Sequence, residues 1–170
     1  PPFFFTNYKP ALWTNVTPQV FAAKSHGILY LTSNCDVESS RDSFAYVASR
    51  YMDIDSVGAC GHSHDWPQRL HSLEYDASGT SLRTKWGSYG PAARALLESY
   101  HFRLLIISTL CENYFAEKIK QTLAAGTIPI YLGIRNSHDW DPGIAAGVHP
   151  AMIHIQDFSG LRDLAQRVKE

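Results

Sequence analysis

The chain has 170 residues, 45% of them apolar and 18% charged, with a formal net charge of -1. That length suits one domain with a true core, and the composition is unlike that of a disordered chain or a coiled coil. Near-neutral charge gives no electrostatic ground for nucleic acid or an anionic membrane surface, so any anionic ligand must be gripped locally.

Residues 1–24, opening "PPFFFTNYKPALW", are rich in proline and aromatics without a sustained period and read as an extended arm or interdomain linker. They hold neither a start methionine nor a targeting signal, which predicts a fragment of something longer, and one glycosylation sequon, Asn15-Val16-Thr17. The ordered domain is expected over 25–170. "GILYLTSN" (Gly27–Asn34) reads as a strand, followed by a helix with Phe44, Val47, Ala48 and Tyr51 at helical spacing after the capping candidates Ser39 and Ser40. "IDSVG" (Ile54–Gly58) is a second strand, and the polar stretch from Cys60 to Gly90 is a long loop. A helix near Pro91–Ser99 leads to "FRLLIIS" (Phe102–Ser108), an apolar run fit for a strand buried on both faces. Helix Tyr114–Ala125, strand Thr127–Gly133, a short strand in "MIHIQDF" and a helix after Ser159 complete the pattern. Strands alternating with helices predict an α/β, Rossmann-like three-layer domain with a mostly parallel sheet.

In such sheets ligands bind beyond the carboxyl ends of the strands, at loops leading into helix N-termini. Asn34 and Arg41 follow one strand; Ser108, Tyr114, Glu117 and Lys118 follow another. Arg41 and Lys118 could hold a diphosphate from two different units, leaving Glu117 to accept hydrogen bonds from sugar hydroxyls. Adjacent Glu-Lys near a helix start is also common as a plain solvated face. "DID" (Asp53–Asp55) and "DWD" (Asp139–Asp141) match an Asp-x-Asp metal pattern, yet turn chemistry explains both more simply, so no metal is expected. His62, His64 and Asp65 in "GHSHDW" are accompanied by no second histidine cluster at a spacing suited to a catalytic zinc and read as surface groups.

Several blocks together resemble glycosyltransferase family 10, the α-1,3-fucosyltransferases. "LYLTSNCDVESSRDSFAYV" looks like the family's strand ending in Ser-Asn-Cys with its downstream arginine, and "IDSVGACG" like its Asp-Ser-Tyr-Gly-x-Cys turn with Val57 for tyrosine. "YHFRLLIISTLCENYFAEKIKQTLAAGTIPIYLG" resembles the segment running from Tyr-Lys-Phe through Phe-Glu-Asn and a Glu-Lys helix to Ala-Gly-Thr-Val-Pro-Val; "IHIQDF" is similar to the closing His-Val-x-Asp-Phe. The resemblance implies the C-terminal half of a GT-B glycosyltransferase that binds GDP-fucose as donor substrate, with no cofactor. It places Asn34, Arg41, Ser108, Tyr114, Glu117 and Lys118 at the donor and the general base in a domain outside this chain.

It further implies inversion at the anomeric carbon, transfer in α-1,3 or related linkage to a glycan or glycoprotein acceptor, and no nucleic-acid partner. For a eukaryotic member it implies the Golgi lumen, with a type II membrane anchor upstream and no membrane contact by this segment. Cys35 and Cys60 can then pair in a disulfide, buried free thiols being the alternative. Where the family carries Phe-Glu-Asn this chain has Ile106-Ile107-Ser108. That departure motivates the alternative of a catalytically degenerate nucleotide-sugar or partner-binding module.

Overall fold

The computed structural model describes residues 17–35, 37, 40–73, 90–107 and 117–169. Five parallel strands form its sheet: β1 (His26–Tyr30), β2 (Ile54–Ser56), β3 (Tyr100–Ile106), β4 (Ile128–Leu132) and β5 (Ile153–His154). The helices are α1 (Pro18–Ala22), α2 (Arg41–Ala48), α3 (Pro91–Glu98), α4 (Glu117–Ala124), α5 (Pro142–Ala145) and α6 (Leu161–Lys169). The spatial order is β2-β1-β3-β4-β5.

Alternation along each strand sends side chains to two covered faces. On one face Ile28, Tyr30, Leu104 and Ile130 pack with Ala45 and Ala48 of α2 and Leu164 and Ala165 of α6. On the other, Leu29 and Leu31 meet Ala92, Ala93, Leu96 and Leu97 of α3, while Leu105, Ile107 and Tyr131 meet Ile119 of α4. The expected three-layer α/β domain is therefore the one observed.

Local details differ from the sequence pattern in instructive ways. β1 ends at Tyr30, so Asn34 lies in the following loop rather than at the strand end, and β3 stops at Ile106. The buried stripe of α2 is Arg41, Ala45 and Ala48 with Phe44 packed beside it, whereas Val47 and Tyr51 face solvent. Small alanines, not the bulkier Val47 and Tyr51, fit under the tight β1–α2 crossing. Within 60–90, a 3-10 turn at Gln68–Leu73 buries Leu70. The strand foreseen in "MIHIQDF" shortens to two residues and continues as a 3-10 turn at Ile155–Asp157.

The end of the expected extended arm is helical: Thr17 Oγ1 accepts from the Val20 N–H at 3.2 Å and Pro18 sits in the first turn of α1. Phe21 packs edge-on against His101 and Phe102. Just beyond α1, Lys24 is buried and its ammonium donates to the carbonyls of Glu98 (2.8 Å) and Ala125 (3.4 Å), at the C-terminal ends of α3 and α4. A cation there meets the negative poles of both helices. Lys24→Met should therefore destabilise the domain by about 1–3 kcal/mol, since it leaves buried carbonyls unsatisfied, as urea unfolding monitored by fluorescence would register.

Candidate functional site

Strand order locates the site. From β1 the chain crosses to β2 on one side, and from β3 it crosses to β4 on the other, so the loops leaving β1 and β3 diverge. Divergence of this kind marks the topological switch point, the place beyond the carboxyl ends of the strands at which open α/β sheets bind ligands. α2 covers one face of the sheet and α4 the other, so Arg41 and Lys118 come to the same rim from opposite layers. Glu117 is the first residue of α4, and Ser108 and Tyr114 fall outside the described residues.

Arg41 is the first residue of α2, where the helix dipole disfavours a cation, and it is 5% exposed. Its Nη2 donates to the carbonyl of Asn34, bringing two of the candidate positions together. Its buried Nε finds no hydrogen-bond partner among the described residues. A buried guanidinium N–H left over in this way suits an anionic ligand. Ser40 before it adopts the left-handed conformation (φ 48°), which costs a non-glycine residue about 1–2 kcal/mol, and makes no side-chain cap. The chain thus turns sharply to set Arg41 at the rim.

Lys118 stands in the first turn of α4, half-buried. Burial, then the positive charge of Arg103, then that of Arg41, lower its ammonium to a pKa of about 8. Arg41 thus lies near enough for its charge to act on the Lys118 ammonium. Sequence reasoning passed over Arg103, which sits in the middle of β3 and is 1% exposed. The signal was present in "FRLLIIS": one permanent charge inside a run otherwise fit for full burial.

The loops after β1 and β2 are fastened to each other. Cys35 and Cys60 form a disulfide with their Cα atoms 5.3 Å apart, and the Cys60 N–H donates to the Thr32 carbonyl at 3.1 Å. At Gly58 a Cβ would stand 2.0 Å from the Thr32 carbonyl oxygen, so only glycine allows this approach. The two sulfurs gather near Asp42, but they are bonded to each other and Asp42 Oδ1 accepts from the Tyr30 hydroxyl at 2.5 Å. That cluster is not a metal site.

The remaining constellations have local explanations. His62 bonds to the Gly58 carbonyl and Asp65 within the loop after β2, and His64 of the same loop pairs with Asp55 of β2. Asp55 also accepts from the Tyr100 hydroxyl. Asp141, of the "DWD" triplet, is fully buried and caps α5. It receives the N–H groups of Gly143, Ile144, Ala151 and Met152, and lies 2.9 Å from His154 Nε2. Burial alone would raise the Asp141 carboxyl; the bonds from His154 and the backbone outweigh it and hold the group below the usual carboxylate range.

The model of the family described as "Glycosyltransferase family 10 (fucosyltransferase) C-term" matches residues 21–170. The chain belongs to glycosyltransferase family 10. The GDP-fucose protein O-fucosyltransferase 3 of Xenopus laevis is 29% identical over 143 residues, which are 84% of this chain and 27% of that protein. The alpha-(1,3)-fucosyltransferase B of Drosophila melanogaster is 29% identical over 142 residues, 84% of this chain and 29% of that protein. A crystal structure of an alpha1,3-fucosyltransferase with GDP-fucose superimposes with a TM-score of 0.57 at 17% identity, covering 88% of this chain and 35% of that one. This family 10 chain thus spans between a quarter and a third of the length of the two named relatives, and 35% of the crystallised chain.

Proposed function

We propose that residues 25–170 form the GDP-fucose-binding domain of an inverting fucosyltransferase that acts on a glycan or glycoprotein hydroxyl in α-1,3 or related linkage. The observation that carries this reading is that the helices bearing Arg41 and Lys118 leave the carboxyl ends of β1 and β3 on opposite faces of the sheet, near enough for the Arg41 charge to act on the Lys118 ammonium. Family membership and the GDP-fucose named for relatives support it.

In the reaction the acceptor oxygen attacks the anomeric carbon of fucose from the side opposite GDP. A new glycosidic C–O bond forms as the bond to the diphosphate breaks, and the acceptor proton passes to a base supplied by another domain. Arg41 and Lys118 neutralise the charge that grows on the departing diphosphate, the role a divalent metal plays in other sugar transferases. Asn34 holds Arg41 through its carbonyl, and Glu117, Tyr114 and Ser108 complete the donor contacts.

GDP should bind the chain in a calorimetric titration, with the same affinity after treatment with a chelator, while no fucose transfer is detected from the chain alone. Absence of a GDP signal would reject the reading, and loss of binding with chelator would favour a metal-bridged diphosphate. A second reading, a catalytically degenerate binding module, is favoured by Ile107, which packs among Leu105, Ile119 and Met152 where the family pattern has glutamate. It predicts that the chain joined to an acceptor domain still transfers no fucose. For location we propose the Golgi lumen, as part of a type II membrane protein anchored outside this segment; the Cys35–Cys60 disulfide fits an oxidising compartment.

A further inference from the structure

Arg103 heads the fully buried side chains of the described residues by size. A guanidinium cannot shed its proton to escape burial, and a well-packed hydrophobic side chain is often as good or better for stability in such a place. The position therefore calls for a reason beyond packing. Arg103 lies on the α4-facing side of β3, and its Nη1 donates to Thr122 Oγ1 at 3.2 Å. The Thr122 hydroxyl donates in turn to the main-chain carbonyl of Lys118 at 2.7 Å. Two hydrogen bonds thus connect the sheet to the turn that carries Lys118.

We propose that Arg103 is a positioning residue of the donor site, holding the first turn of α4 through Thr122 and setting a fixed positive charge behind Lys118. The assignment rests on the reading of Lys118 as a diphosphate ligand. Arg103 is 1% exposed on the α4-facing side of β3, so its assigned action on the donor passes through α4.

Among the described residues, the charged groups that act on the Lys118 ammonium from other elements are Arg103 of β3 and Arg41 of α2, and Glu117 and Lys120 are the nearest ionisable residues along α4. Arg103 contributes more to the lowered proton affinity than Arg41 does. Arrival of a diphosphate pulls in the opposite sense and restores full charge, which makes the third cation of the site conditional on occupancy. Affinity for GDP is then complete below a pH of about 8 and falls above it, by up to about tenfold per pH unit, because binding must take up a proton.

The test uses the full chain with lysine labelled at the ε carbon, the Lys118 resonance being assigned by its loss in Lys118→Arg. Its titration in the free protein is compared with GDP affinity from pH 7 to 9 for the wild type, Arg103→Met, Arg103→Lys and Thr122→Val. The expected result is a Lys118 midpoint that rises at least about threefold in proton affinity in Arg103→Met, stays low in Arg103→Lys, and carries the fall in GDP affinity with it. Thr122→Val keeps the charge, so it should weaken GDP several-fold at every pH without moving the midpoint. A Lys118 midpoint unmoved in Arg103→Met overturns this inference and leaves the donor reading intact. A wild-type chain that does not bind GDP overturns the donor reading, and this assignment with it. An unchanged GDP affinity in Thr122→Val overturns the positioning path.

Discussion

Lys118→Ala and Arg41→Ala should each lower the affinity of the chain for GDP by about 10- to 100-fold. The estimate follows from the loss of a charge-assisted hydrogen bond to a phosphate oxygen, about 1.5–3 kcal/mol. The loss should be greater at Arg41. Its guanidinium is held by the Asn34 carbonyl and retains an Nε–H without a described partner, so it is already organised for a ligand before one arrives. Arg41→Lys should recover little, because an ammonium lacks the planar fork that can bond to Asn34 and a phosphate together. Isothermal calorimetry at pH 7 measures the effect, and thermal unfolding of the same proteins separates it from damage to the fold. Equal affinities in wild type and both variants would remove these side chains from the donor site.

Asp141→Ala should be among the most destabilising single changes in the domain, costing about 3–5 kcal/mol. The carboxylate satisfies four backbone N–H groups drawn from α5 and from the approach to β5, and it faces His154, which is itself hydrogen-bonded to Ser137 Oγ at 2.9 Å. Removing it strands all of these in a dry interior. At about 2–4 °C per kcal/mol for a chain of this size, the unfolding midpoint should fall by roughly 10 °C. The pH dependence has a definite sign. Because the folded-state pKa of Asp141 is depressed, its contribution is fully present above the unfolded carboxylate value near 4 and is lost as pH falls through the folded value. Wild type and Asp141→Ala should accordingly converge in stability towards strongly acidic pH, as acid titration of the unfolding free energy would reveal. Parallel curves would show that the carboxylate is not the group responsible.

The sequence was most informative where a local rule decides the outcome. Apolar runs between turn residues gave the positions of β1 to β4, Pro91 marked the start of α3, and the alternation of strand and helix gave the layered class. The rim on which Arg41 and Lys118 stand was legible because the strand-end rule needs only chain order. The misses share a different cause: they depend on neighbours remote along the chain. Val47 and Tyr51 have helical spacing, yet the closeness of α2 to the sheet selects the alanine stripe instead. Asp141 looks like any turn acid until Ala151 and Met152, ten and more residues away, bring it their N–H groups. The Cys35–Cys60 bridge was no miss but one of two open alternatives, decided for the disulfide by the adjacency of β1 and β2. Arg103 was different, since its charge was visible and only its destination was not.

The fastening of the β2 loop to the β1 loop has a mechanical corollary. Thr32 is gripped by Gly58 and Cys60 from one side, and a few residues later the same backbone offers Arg41 its carbonyl anchor at Asn34. A displacement of the loop after β2 should therefore carry the loop after β1, and Asn34 with it. A bulkier residue at position 58, although it would never touch a nucleotide, should misalign the arginine as surely as a lesion beside it.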